Sequence, residues 1–122
     1  MIHTVHRGLS QNTKHNGVAP HYLIARNGDI YQLVTDKAVA YHAGNSKMPD
    51  GRTNVNNFSI GVELIYAKND TPTEVQYDSL SKLVDYLVDK YKIPLKNIVG
   101  HEDISPANRQ DDPANFDWNK IS

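Results

Sequence analysis

Apolar residues recur along this chain with two different periods, and the switch between them separates strands from one long helix. His21-Tyr22-Leu23-Ile24-Ala25 and Ile30-Tyr31-Gln32-Leu33-Val34 are rich in strand-forming side chains and flank Arg26-Asn27-Gly28-Asp29. Asn-Gly supplies the positive φ angles of a tight turn, so these two runs predict a β-hairpin. From Phe58 to Ile65 the pattern alternates strictly, with Phe58, Ile60, Val62 and Leu64 on one face of a predicted strand and Ser59, Gly61 and Glu63 on the other. The first is a core face. The second sets small residues around one carboxylate, as a pocket floor would, although a strand carboxylate is commonly just solvated on an open face.

Between residues 73 and 91 the period becomes helical. Leu80, Leu83, Val84, Leu87, Val88 and Tyr91 recur on one side, Thr73 suits the N-cap, and Ile93-Pro94 ends the run. Shorter signals fill in the rest. Met1 to Val5 is a strand stub, residues 6–19 a polar loop with a short helix, and residues 35–57 a long loop with a short strand near Val39. Asn97-Ile98-Val99 reads as a strand that delivers His101 at its carboxyl end, and Phe116-Asp117-Trp118 as the start of a final helix. Strands and helices mixed in this order predict an α/β fold around one mixed sheet.

The 122 residues suit one domain, residues 1–122, and are too few for two ordinary ones. A net charge of -1 with dispersed lysine and arginine gives no global attraction to nucleic acid or anionic membrane. No apolar run approaches the roughly 20 residues of a membrane helix, and no signal peptide opens the chain. Without cysteine there are no disulfides or thiolate ligands, and the compartment stays open. The expectations are a monomer, no nucleic-acid partner and no membrane insertion.

Candidate chemistry lies in Gly100-His101-Glu102-Asp103-Ile104-Ser105-Pro106 and the later Asp112-Pro113. Imidazole nitrogen and carboxylate oxygen both suit zinc, and a catalytic zinc needs a third protein ligand plus an open position for water. His3 is a candidate for that third ligand. Taken singly, each residue has a plainer reading: a hydrogen-bonded loop histidine, an Asp-Pro turn, an exposed terminal histidine.

Taken together, six blocks resemble the zinc-dependent N-acetylmuramoyl-L-alanine amidase family, which includes the peptidoglycan recognition proteins. They are Ile2-His3-Thr4, the hairpin from Ala19 to Val34, Ala40-Tyr41-His42-Ala43-Gly44, Asn57 to Leu64, Gly100 to Pro106, and Asp112-Pro113 through Phe116-Asp117-Trp118. They occur in the family's order over essentially the whole chain, with Tyr41 where tryptophan is usual. The resemblance implies a central mixed β-sheet flanked by helices, Zn2+ held by His3, His101 and Asp112, and Glu63 as the catalytic glutamate. It also places His42, His21 and Asn57 in segments that line a substrate groove. The implied reaction is hydrolysis of the amide between N-acetylmuramic acid and L-alanine, in peptidoglycan or a muropeptide.

Two departures qualify the match. The loop before the third ligand is one residue longer than usual, with Gln110 where many members have an oxyanion-stabilising lysine. Arg109 could supply the cation instead, and Asp111 rivals Asp112 as ligand. Only Met1 and Ile2 precede His3, as in a fragment or an N-terminally shortened variant, with His6 as the fallback ligand. The thin start and absent lysine keep open a second class: a non-catalytic peptidoglycan-binding module of the same fold.

Overall fold

Val62-Glu63-Leu64-Ile65 is the strand around which the molecule is organised, and its alternate residues are buried as the sequence pattern requires. The computed structural model describes residues 2–5 (backbone only), 20–38, 48, 59–67, 69–100, 103 and 113–121. Within these, the strands are β1 (Ile2–Val5), β2 (Tyr22–Ile24), β3 (Ile30–Gln32) and β4 (Val62–Ile65). Helix α1 (Glu74–Tyr91) follows, then two 3-10 turns, Leu95–Asn97 and Trp118–Ile121. The sheet order is β1-β4-β2-β3. β1, β4 and β2 run parallel and β3 pairs antiparallel to β2, so the sheet is mixed and the fold α/β.

Register sorts the side chains. Val62 pairs with Tyr22 and Leu64 with Ile24. These four pack against Tyr77, Leu80, Leu83, Val84 and Leu87 of α1 to form the core. Every residue of β2 is buried, as expected of an inner strand covered on both faces, whereas all of β3 is exposed.

The helix begins where its sequence dictates. Thr73 Oγ1 accepts from Gln76 N (3.1 Å) and Gln76 Oε1 accepts from Thr73 N (3.0 Å), a reciprocal capping box. Lys92 turns left-handed (φ 54°) at the other end, and Pro94 opens the following 3-10 turn. Gln76 does more than cap. It is fully buried, and its Nε2 donates to the carbonyls of Ile24 (3.1 Å) and Ile65 (3.0 Å), at the ends of β2 and β4. Its Oε1 also accepts from Arg26 Nη1 (3.2 Å), so all four hydrogen-bonding positions of the amide are used.

Two expectations change in detail. The hairpin is present, but its loop is not a two-residue turn. Gly28 N donates to Ala25 O and Ala25 N to Asp29 O, both 2.9 Å, and only Gly28 has positive φ (90°). This is a type I turn closed by a glycine bulge. The glycine is needed twice over, because a Cβ there would lie 3.0 Å from Ser79 Oγ and 3.1 Å from Val75 O. The strand expected from Phe58 begins only at Val62, and Phe58 itself lies outside the described residues. Gly61 gives its N–H to the His21 imidazole (3.1 Å) instead of to a neighbouring strand, so the ladder cannot start earlier. Residues 6–19 and Val39 also lie outside the described set.

The far end of α1 is tied to the sheet through Asp36. Its carboxylate accepts from the Tyr22 hydroxyl, the Tyr91 hydroxyl (2.7 Å) and Gln32 Nε2 (3.3 Å), with Lys90 Nζ at 3.7 Å. Desolvation works to raise the Asp36 pKa, but the two tyrosine hydrogen bonds and the Lys90 charge outweigh it and hold it below its ordinary 3.8. Burial, then the adjoining carboxylate, pushes the Tyr22 hydroxyl well above its usual range.

Two stability predictions follow from these cross-links. Gln76→Leu removes the donor shared by two strand ends and should lower unfolding free energy in urea by about 1–3 kcal/mol. For Asp36, folding depresses the pKa below 3.8, so the stability it contributes is complete above that pH and disappears as pH falls through the folded-state value. Asp36→Asn should therefore melt below wild type at pH 7, with the gap in Tm narrowing only as pH falls below 3.8.

Candidate active site

The sheet face turned away from α1 carries one row of register partners: position 3 on β1, Glu63 on β4, Leu23 on β2 and Tyr31 on β3. Glu63 is held between Val62 and Leu64, both anchored in the core, so its backbone has little freedom. The side chain is half-buried, and its Oε2 is withdrawn from solvent. This is the alternation read from the sequence, now with a neighbour: His3 is the register partner of Glu63. Leu23 is fully buried and Tyr31 exposed at the sheet edge.

His21, expected in a groove-lining segment, is not exposed in the structure. It is fully buried, with both ring nitrogens engaged within the protein. Nδ1 accepts from Gly61 N (3.1 Å), which leaves Nε2 as the protonated nitrogen donating to Ala38 O (2.7 Å). In this arrangement both ring nitrogens serve backbone groups. The sequence could not reveal this, because the two partners lie 17 and 40 positions away.

The segments next to the remaining expected ligands are anchored. Instead of a strand at 97–99 there is a 3-10 turn, Leu95–Asn97, launched by Pro94. Val99 and Gly100 are buried, and Gly100 makes a single β-bridge. Gly100 N donates to Asp103 Oδ2 (2.9 Å) and Asp103 N to Gly100 O (3.1 Å). That exchange spans positions 101 and 102 and takes the amide a longer strand would use. Beyond position 112, the Tyr66 hydroxyl donates to Ala114 O, tying Pro113-Ala114 to the residue just past β4. Phe116 packs at a tilt against Tyr77 (5.4 Å) and edge-on to Trp118 (4.8 Å), and the Tyr77 hydroxyl accepts from Asp117 N (3.0 Å). Asp103 and Tyr66 were not singled out from sequence, and the Gly-x-x-Asp spacing at 100–103 was the one available hint.

His42, Asn57, His101, Arg109, Gln110 and Asp112, with the alternatives His6 and Asp111, lie outside the described residues, as does the His3 side chain. Among the described residues, no three His, Cys, Asp or Glu side chains stand close enough to hold a metal. The expected donor set of two imidazoles and a carboxylate is chemically suited to zinc. One of its positions is the register partner of the glutamate expected to work beside it. No helix among the described residues is long and apolar enough to cross a membrane.

Comparison with known proteins agrees with this geometry. The family described as N-acetylmuramoyl-L-alanine amidase matches residues 1–115. The chain is 42% identical over 104 residues to the 1,6-anhydro-N-acetylmuramyl-L-alanine amidase AmpD of Haemophilus influenzae, covering 84% of this chain and 56% of that protein. It thus spans about half the length of the curated relatives it matches. Its fold superposes on a crystal structure of an AmpD selenomethionine derivative with TM-score 0.85 and 30% identity, covering 98% of this chain and 79% of that one. A second similar structure is AmiD from E. coli in complex with the substrate anhydro-N-acetylmuramic acid-L-Ala-D-gamma-Glu-L-Lys (TM-score 0.80, 30% identity, 90% and 50% covered). With a family match over most of its length and a mixed sheet that sets Glu63 beside position 3, this chain belongs to the N-acetylmuramoyl-L-alanine amidase family.

Proposed function

We propose that this chain, as one domain and a monomer, is a zinc amidase that hydrolyses the bond between N-acetylmuramic acid and L-alanine. The observation that carries the reading is Glu63, half-withdrawn from water on a rigid strand, with His3 as its register partner. The names of the relatives support 1,6-anhydro-muropeptides as the first substrate to test.

His3, His101 and Asp112 would hold the zinc, which supplies Lewis acidity to a water and to the scissile carbonyl. The chain's own groups do the rest. Glu63 accepts a proton from the attacking water as its oxygen bonds to the lactyl carbonyl carbon. When the C–N bond breaks, Glu63 returns that proton to the amine of L-alanine, and the carboxylate is regenerated. Gln110 and Arg109 are the candidate donors to the oxyanion, Arg109 contributing the charge that Gln110 lacks. His42 and Asn57 are the remaining candidates for groove contacts.

Zinc-loaded protein should release free stem peptide from an anhydro-muropeptide, followed by chromatography and mass spectrometry. Glu63→Ala should lower kcat by about 10²–10⁴-fold, and a strong chelator should abolish release until zinc is restored. Full turnover in the chelated protein would overturn the metal mechanism. Gln110→Lys should raise kcat towards the roughly 10²-fold value of one oxyanion donor. A rate indifferent to Gln110→Lys but reduced by Arg109→Ala would assign that charge to Arg109.

A further inference from the structure

His21 is one of two fully buried polar side chains among the described residues, and no catalytic step uses it. Its imidazole lies between the residue just before β4 and the turn that carries Asp36. Nδ1 takes the Gly61 amide, two residues before Glu63, and Nε2 gives its proton to Ala38 O, two residues after Asp36. The backbone reinforces the same junction, because His21 N donates to Gly61 O (3.0 Å) and Leu33 N to His21 O (2.8 Å). Asp36 is in turn fixed by Tyr22 and Tyr91. One ring therefore links the strand of the general base to a loop braced by the helix.

We infer that His21 is a positioning residue for Glu63, fixing the start of β4 through the Gly61 amide. The inference deepens the amidase reading and rests on it. The physical basis is twofold. A buried amide deprived of its acceptor must find another, and Gly61 has no side chain to restrain the shift. Reacting groups displaced by about 1 Å can lose about 10²-fold in rate. The imidazole has no exposed surface, and it reaches Glu63 through the Gly61 amide and β4.

The test uses the zinc-loaded full chain and three variants. His21→Asn sets an amide oxygen near the place of Nδ1 and keeps an acceptor for Gly61 N–H, but is too short for Ala38. His21→Gln reaches Ala38 and loses the Gly61 acceptor, and His21→Leu loses both. His21→Asn should stay closest to wild type, while His21→Gln and His21→Leu should fall about 10- to 100-fold in kcat. KM and bound zinc should change little. Equal kcat in all proteins, a ranking of Asn at or below Gln, or a loss confined to KM or zinc content would overturn the inference. If His21→Leu does not fold, the order of Asn and Gln decides. If wild type releases no stem peptide, the amidase reading falls, and the clamp is read from amide hydrogen exchange over Val62–Ile65. Faster exchange in His21→Gln than in His21→Asn supports it, and equal rates overturn it.

Discussion

The register of β4 between β1 and β2 is the constraint on which the rest of the molecule depends. Side chains alternate along a strand, so one choice of pairing sends Val62 and Leu64 to the helix and Glu63 to the opposite face. A slip of one residue would drive the carboxylate into an apolar core and strand two large aliphatic side chains on the other side. Desolvating a carboxylate without a partner costs several kcal/mol, and each exposed aliphatic forfeits about 1.5–3 kcal/mol of burial. The same energetics that build the core therefore fix the row containing Glu63 and position 3.

Register alone does not hold the strand's ends, and three polar side chains do this. Gln76 ties off the carboxyl ends of β2 and β4, His21 receives the chain just before β4, and Asp36 fastens the loop beyond β3 to the end of α1. Each joins segments distant in sequence, and each satisfies backbone or hydroxyl groups that would otherwise be buried unpaired. A polar group placed this way adds little net energy when satisfied but penalises any rearrangement that breaks it. The network thus narrows the choice of arrangement more than it deepens stability.

What could be read from sequence follows from the range of the determining interaction. The helix was legible because its cap, period and stop lie within 22 residues of one another, from Thr73 to Pro94. The hairpin was legible as a hairpin but not as a turn type, because Ala25 pairs with both Gly28 and Asp29, and the crowding of Gly28 by Ser79 and Val75 comes from a helix far along the chain. The strand before Val62 was overextended because its alternation is real while its amide is diverted to His21, 40 positions away. Glu63 was visible as an anomaly in a simple pattern. The burial of His21 was not legible for the converse reason: a buried histidine with two backbone partners looks, locally, like any other histidine.

The proposed site sets Glu63 in a sheet, and that placement has a mechanical reason. A proton-transferring group must keep its position within about 0.5 Å through the reaction, which a strand flanked by two core residues can do and a loop alone cannot. Glu63 and position 3 are adjacent backbone positions in one ladder, so their separation is fixed by hydrogen bonding rather than by side-chain packing. Among the described residues, the chain leading to position 101 makes only a single bridge, at Gly100, and the chain from Pro113 onward lies outside the sheet. Each is fastened one or two residues away, at Gly100 by Asp103 and at Ala114 by Tyr66, which itself extends from the end of β4. β4, which carries the proposed base, therefore also anchors through Tyr66 the segment that follows the proposed ligand position 112, and a disturbance of β4 would be felt at both.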